Sequence, residues 1–204
     1  MKSFSELAKS VVITKKGSSF ILNDKDPNLT LIGEGRSAFV FRIGTTDKVL
    51  KVFFPEFEKV AREEAEVYRI LSGIPYYSPL YGAGKNYLVI DFIEGYTFFS
   101  CLEKGIPIST DSLREVDCAL GLAREKGLNP SDVHLRNIII TSSGEIKLID
   151  VARFRQTKNC TQWKDLKAAF HKFYKQKYFP KKIPATILNL VALLYKKKLL
   201  PALS

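Results

Sequence analysis

The hydrophobic period of this chain changes near residue 93, and that change limits what it can fold into. Before it, apolar residues fall mostly in short runs broken by turn residues. Residues 20–22, 29–33, 38–43 and 48–54 read as strands, with a turn cluster at 23–28 and hairpin-turn composition at 44–47. Residues 4–12 suggest a short helix capped by Ser3 or Ser5. From 56 to 71 the period becomes helical, with Val60, Val67 and Leu71 on one stripe. Two further strands, 79–82 and 87–93, are joined by a turn at 83–86. Beyond that point helices dominate. One runs from 110 to 126, capped by Thr110 or Asp111 and ended by Gly127. A short hairpin follows, 138–141 with 145–149 across 142–144. Two last helices span about 161–178 and 184–198, Pro184 lying near the first turn of the second. The pattern predicts an α+β chain with a strand-rich part, 1–93, and a helix-rich part, 94–204, linked near 90–95.

The charge is divided along a different boundary. The 204 residues carry a net +11, yet residues 1–150 hold 19 Lys/Arg against 20 Asp/Glu. From residue 151 on there are 13 Lys/Arg and a single acidic residue, Asp165. Such polarity suits an acidic partner, whether nucleic acid, an anionic membrane face or a phosphorylated ligand; a solvated basic surface is the plainer alternative. With 46% hydrophobic and 26% charged residues, a disordered tail, a collagen and a solenoid are excluded. Three scattered cysteines, Cys101, Cys118 and Cys160, make a disulfide framework or zinc site unexpected and fit reducing cytosol. Neither a signal peptide nor a transmembrane segment is expected, because the longest apolar-rich stretch, 183–194, falls short of the ~20 residues a span needs.

Five polar features stand out in order. Gly33-Glu34-Gly35-Arg36-Ser37-Ala38-Phe39-Val40 lies between two strands rather than opening a helix. That argues against a dinucleotide fold and allows backbone N–H groups to approach phosphate oxygens; an ordinary glycine turn is the alternative. Lys51 interrupts the apolar strand Val49-Leu50-Lys51-Val52-Phe53 and is costly there unless paired or snorkelling at a sheet edge. Among Glu63, Glu64 and Glu66 on the next helix, Glu64 is the expected partner, since Val67, Tyr68 and Leu71 form the packing stripe beside it. Asp132-Val133-His134-Leu135-Arg136-Asn137 precedes one short strand and Asp150 ends the next. Two carboxylates and an amide there form an oxygen-rich cluster suited to Mg²⁺, although each alone also fits a turn.

Together these residues resemble the protein-kinase-like superfamily over roughly residues 29–165. Gly33–Val40 matches its glycine loop with Ala38 in place of the third glycine. Val49-Leu50-Lys51 matches V-A-I-K, Asp132 to Asn137 matches D-x-x-x-x-N, and Asp150-Val151-Ala152 stands where D-F-G belongs. Tyr87 to Gly95 looks like the fifth strand and hinge. Pro130-Ser131 replaces H-R, no A-P-E follows, and His134 stands where protein kinases usually place Lys. These departures resemble compact bacterial kinases of the RIO/lipopolysaccharide (Kdo) kinase type, similar to small serine/threonine kinases of Bacillus. The implied fold is a two-lobed protein-kinase-like fold with an antiparallel N-lobe, 1–93, and an abbreviated helical C-lobe, 94–204.

The resemblance implies a cytoplasmic phosphotransferase using ATP and Mg. In it Ile32, Val40, Val49, Ile90, Ile139 and Ile149 sandwich adenine between the lobes, and the backbone of Asp91 and Ile93 bonds its edge. Gly33 and Gly35 belong to the phosphate loop. Lys51, held by Glu64, contacts the phosphates, while Asn137 and Asp150 hold Mg²⁺. Asp132 orients the acceptor hydroxyl. His134 approaches the γ-phosphate or is a structural histidine; Arg153 and Arg155 bind substrate phosphate or face water. A serine/threonine protein kinase is the leading expectation. The alternatives are a kinase for a sugar, lipid or antibiotic and a nucleotide-binding pseudokinase module. In the tail, the aromatic and cationic residues 170–179 could stack bases, and 183–200 could lie on an anionic membrane. The plainer expectation is that these residues build the second lobe's core.

Overall fold

The computed structural model describes residues 2–199. The chain divides into two compact units, Met1–Ile93 and Glu94–Ser204. In the first, Ser3 caps α1 (Phe4–Lys9) through a capping box with Glu6. The helix stops at Lys9 instead of reaching residue 12. The β-branched Val12-Ile13-Thr14 run enters β1 (Val12–Lys16), which pairs with β2 (Ser19–Asp24). A five-stranded antiparallel sheet follows: β3 (Leu29–Glu34), β4 (Ala38–Ile43), β5 (Lys48–Phe53), β6 (Gly82–Ala83) and β7 (Tyr87–Asp91), in the order β3-β4-β5-β7-β6. The strand expected from residue 79 is reduced to Gly82–Ala83, because Pro79 has no N–H for a ladder.

Strand alternation gives the sheet two different faces. Phe39, Phe41, Ile43, Leu50, Val52 and Val89 pack with Leu7 and Ala8, and Phe4, Ile13, Phe20 and Leu22 close this core. Phe20 stacks on Phe54 at 4.1 Å. The N-terminal extension thus covers one face. The register pairs Val40 with Lys51, Lys51 with Leu88, and Val49 with Ile90, so these residues share the other face. Helix α2 (Glu58–Ile70) follows a 3₁₀ turn at Pro55–Phe57 and buries Ala61, Glu64, Ala65, Val67 and Tyr68. Val60 is only half-buried, so the packing stripe is displaced from the expected one.

The second unit contains two elements that the sequence pattern missed, β8 (Gly95–Thr97) and α3 (Phe98–Lys104). Thr97 caps α3 by accepting from the Ser100 N–H at 3.0 Å. Helix α4 (Thr110–Glu125) is capped by Ser109 rather than Thr110 or Asp111, and Gly127 has the left-handed φ of 78° expected at a helix end. Strands β9 (Ile138–Thr141) and β10 (Ile146–Leu148) join β8 in a three-stranded sheet ordered β10-β9-β8. A Cβ on Gly95 would stand 2.2 Å from the Ile140 carbonyl oxygen, so β8 pairs here only with glycine.

The helix expected over 161–178 is interrupted. It forms α5 (Gln162–Ala169) and then a π-helical turn, Phe170–Tyr174. The turn stacks Phe170 on Tyr174 at 4.9 Å and sends the Tyr174 hydroxyl inward to accept from the Ile108 N–H at 3.1 Å. Helix α6 (Ala185–Lys196) corrects the core expectation. Leu188 is its one buried residue, while Ile187, Leu190, Val191 and Leu193 face solvent. Leu200, the end of the apolar stretch considered above, lies outside the described residues. No helix among the described residues is long and apolar enough to cross a membrane. The α+β order, antiparallel sheet first and helices after, is that of a kinase-like fold.

Candidate active site

The first unit carries Lys51 and its neighbours. Its ammonium bonds both carboxylate oxygens of Glu64, at 2.9 and 2.8 Å, with side chains 13% and 1% exposed. Strand period and helix period make this pair. Lys51 lies on the sheet face opposite the aromatic core, and Glu64 lies on the buried side of α2. Of the three glutamates, Glu64 is the buried partner; Glu63 stands 3.8 Å from Lys59 and Glu66 is exposed. Taking two charges out of water is expensive, and the bidentate geometry offsets that cost.

Val40, Val49 and Ile90 share the Lys51 face. Gly33 lies opposite Val40 on β3, beside a bulge that leaves Ile32 exposed. The Gly35 N–H donates to the Ala38 carbonyl at 2.9 Å, closing the glycine turn. Asp91 ends β7, and its carboxylate raises the Tyr81 pKa chiefly by accepting a hydrogen bond from the hydroxyl. Ile93 is the last residue of this unit.

The second unit gathers Asp132, His134, Asn137, Ile139, Ile149 and Asp150. Here the backbone is strained. Asp132 and Asp150 adopt left-handed conformations, with φ of 60° and 59°. Aspartate tolerates that region better than most residues, though at a cost of about 1 kcal/mol. The loop is braced locally. Asn137 donates its amide N–H to the Asp132 carbonyl at 3.1 Å, and the Ile149 N–H donates to the Asn137 carbonyl at 3.0 Å. Asn137 and Asp150 are therefore set by adjoining backbone.

Three residues have a bracing role that the sequence reading did not give them, although Gly95 stood in the hinge pattern and Ser131 in the place of H-R. The Asn129 N–H donates to the Phe154 carbonyl at 2.7 Å, and the Asn129 amide donates to the Gln156 carbonyl at 2.8 Å. Fully buried Ser131 donates to the Asn129 carbonyl at 3.0 Å. Gly95 sets the strand beside β9.

The charges around Asp132 differ from those expected. Arg153 Nε lies 3.3 Å from Asp132 Oδ2, in an ion pair whose arginine side chain is exposed. Arg155 is exposed. His134 Nε2 is 4.0 Å from Asp132 Oδ1. Burial pushes the His134 pKa below the ordinary histidine value, against the opposing pull of Asp132 and Asp150. Near neutral pH the imidazole is uncharged and does not supply the full positive charge of a lysine.

Among the described residues, no group of three or more His, Cys, Asp and Glu is arranged to hold a metal. The fit to Mg²⁺ rests on the donor chemistry. With its amide nitrogen committed to the Asp132 carbonyl, Asn137 keeps its amide oxygen for a ligand, and Asp150 is exposed. One carboxylate and one amide oxygen suit an ion that takes most of its shell from water and phosphate.

The chain is 49% identical over 193 residues to the Bacillus subtilis (strain 168) protein named "Putative serine/threonine-protein kinase YrzF", covering 94% of this chain and 90% of that protein. The chain belongs to the same kinase-like family as YrzF. It is also 24% identical over 93 residues to "Probable serine/threonine-protein kinase PknB" of Lactococcus lactis subsp. lactis (strain IL1403), a match covering 43% of this chain and 15% of that protein. No family model matches the sequence.

Proposed function

We propose that this protein is an ATP- and Mg-dependent kinase that transfers the γ-phosphate to a hydroxyl, with serine or threonine of a protein as the favoured acceptor. The observation that carries this reading is the bidentate pairing of partly buried Lys51 with buried Glu64. An apolar residue at that place would satisfy the fold at lower desolvation cost, so a retained lysine there points to a ligand with negative charge.

In this reading Lys51, aimed by Glu64, binds nucleotide phosphates, and Gly33 and Gly35 leave room for them. Val40, Val49 and Ile90 offer an apolar surface for a base in the first unit, as do Ile139 and Ile149 in the second. Exposed Ile32 covers the base from the glycine turn, and the backbone of Asp91 and Ile93 bonds its edge. Asn137 and Asp150 hold magnesium, which neutralises phosphate charge when bound. Asp132 orients the acceptor hydroxyl and takes its proton late in a loose transition state. Its pairing with Arg153 holds the carboxylate in place beside the loop. Neutral His134 donates a single hydrogen bond. Positioning and charge neutralisation supply most of the rate.

The test uses purified protein with γ-labelled ATP and magnesium. Label on protein, lost in Asp132→Ala, supports the protein kinase; label on a small molecule assigns the acceptor to that class. Equal turnover in Asp132→Ala removes Asp132 from its role. Melting with and without Mg-ATP tests nucleotide binding, because a bound ligand must raise Tm; a raised Tm without transfer of label assigns the chain to a nucleotide-binding pseudokinase module.

A further inference from the structure

Helix α6 is attached to its unit by one side. Leu188 is buried, the Tyr195 hydroxyl donates to Asp165 at 2.7 Å, and Arg136 donates to the Asn189 side chain at 2.9 Å. The apolar residues on the rest of its surface face water. Ile187, Leu190, Val191 and Leu193 are 50, 54, 47 and 49% exposed. Ile187, Leu190 and Val191 recur at i, i+3 and i+4, the spacing of a stripe that ordinarily faces a core.

Lysines stand at both ends of this face. Lys181 and Lys182 precede α6, Lys196 closes it, and Lys197 and Lys198 follow; all five are exposed. The Lys181 ammonium bonds the Tyr174 carbonyl and lies over its ring, so Lys182, Lys196, Lys197 and Lys198 are the cations that reach outward. No Asp or Glu occurs after Asp165. Beyond them Leu199 is again exposed, at 65%.

We infer that α6 docks on an anionic lipid bilayer. The helix lies in the plane of the headgroups, its aliphatic side chains enter the acyl boundary, and the lysines at its two ends reach lipid phosphates. An aliphatic face with cationic ends and no acidic residue is the chemistry of an interfacial helix. At 12 residues, about 18 Å long, it lies on a membrane and does not span it. The other occupants fit less well. A second copy placed on this face would bring five lysines against five. Nucleic acid would meet aliphatic side chains on α6 where stacking requires aromatic ones; the exposed aromatics of 170–179, Phe173 and Tyr178, lie outside this helix. None of the α6 residues has a role in the proposed kinase site, although Asn189 accepts from Arg136 of the Asp132–Asn137 loop and the charge of Lys196 acts on His134; vesicle binding is read without phosphotransfer, so the two readings fail separately.

The experiment is co-sedimentation of the full chain with phosphatidylcholine vesicles, with and without an equal share of phosphatidylglycerol. The wild type sediments with the anionic vesicles alone, and binding falls as salt is raised. Leu190→Gln and Leu190→Asp each lower the apparent affinity about tenfold or more while melting like the wild type. The double variant Lys197→Glu, Lys198→Glu lowers it at least as much. If a leucine variant fails to fold, Val191→Gln on the same exposed face takes its place. Equal binding to neutral vesicles, or no binding to either, overturns the inference. So does binding lost in the lysine variant yet unchanged in a folded leucine variant, which would be adsorption by charge alone. A vesicle-independent dimer sensitive to Leu190→Asp, or retention of single-stranded RNA without vesicle binding, assigns the face to those partners instead.

Discussion

Lys51 and Glu64 are held by regular structure, a central strand and a three-turn helix, and both side chains are withdrawn from water. Asp132 and Asp150 are held by loops, with left-handed backbone and carboxylates that reach solvent. The first pair is part of the packing; the two aspartates cost the fold something to keep. If both sets serve phosphoryl transfer, stability and activity should separate between them. Substitutions at the pair should harm both properties, and substitutions at the aspartates should harm activity alone.

The largest expected effect tests the second half of that contrast. Asp132→Asn keeps the shape and the tolerance for positive φ but cannot accept the hydroxyl proton. Phosphotransfer should fall by about 10²–10⁴-fold, while Tm stays within about 2 °C of wild type. A variant that loses stability along with activity would make Asp132 part of the architecture. Next comes Glu64→Ala, which removes the carboxylate that pairs with the partly buried Lys51 ammonium. It should cost about 3 kcal/mol in denaturant unfolding as well as activity. Unchanged unfolding would show that the pair is not buried in solution, and the contrast would fail at its other end.

The same contrast explains what the sequence revealed. Lys51 and Glu64 could be read in advance because strand alternation and helical spacing decide which side chains face each other. Glu64 was distinguishable from Glu63 and Glu66 on that ground. The Asp132-to-Asn137 spacing was visible as a motif, but the bracing by Asn129 and Ser131 was not. Those bonds depend on where the backbone folds back, which no period encodes. Arg153 was ambiguous for a related reason, since its partner lies 21 positions earlier in another loop. The π-turn at Phe170–Tyr174 and the short strand at Gly95 were missed because tertiary contacts impose them: a buried tyrosine hydroxyl in one case, a close carbonyl in the other. Helix α6 was found from its pattern. Its orientation was misjudged, because an apolar stripe signals that a face will be covered without saying by what.

Gly95→Ala gives a smaller, purely architectural effect. The new methyl would meet the Ile140 carbonyl oxygen at 2.2 Å, and neighbouring backbone cannot move as freely as a side chain. A loss of about 1–3 kcal/mol in thermal or denaturant unfolding is expected. Unchanged stability would mean that the β8 edge yields easily, and that the sheet carrying Ile138 and Ile139 is softer than the sheet carrying Lys51.

The smallest effect has the most informative sign. Asp150 has φ of 59°, a conformation that glycine adopts without steric cost. Asp150→Gly removes that strain and also loosens the unfolded chain, two terms of about 1 kcal/mol each that oppose one another. Apart from the bonds of the Asp150 side chain itself, the net change should lie between zero and about 1 kcal/mol of added stability. Activity should be lost with the carboxylate. A destabilisation clearly beyond 1 kcal/mol would show that the Asp150 side chain holds the loop by its own bonds, and the residue would then join Lys51 and Glu64 as part of the packing. Stability kept or raised, with Mg-ATP no longer raising Tm, would instead place its purpose in the ligand, because nothing in the folding of the chain would then account for an aspartate at that position.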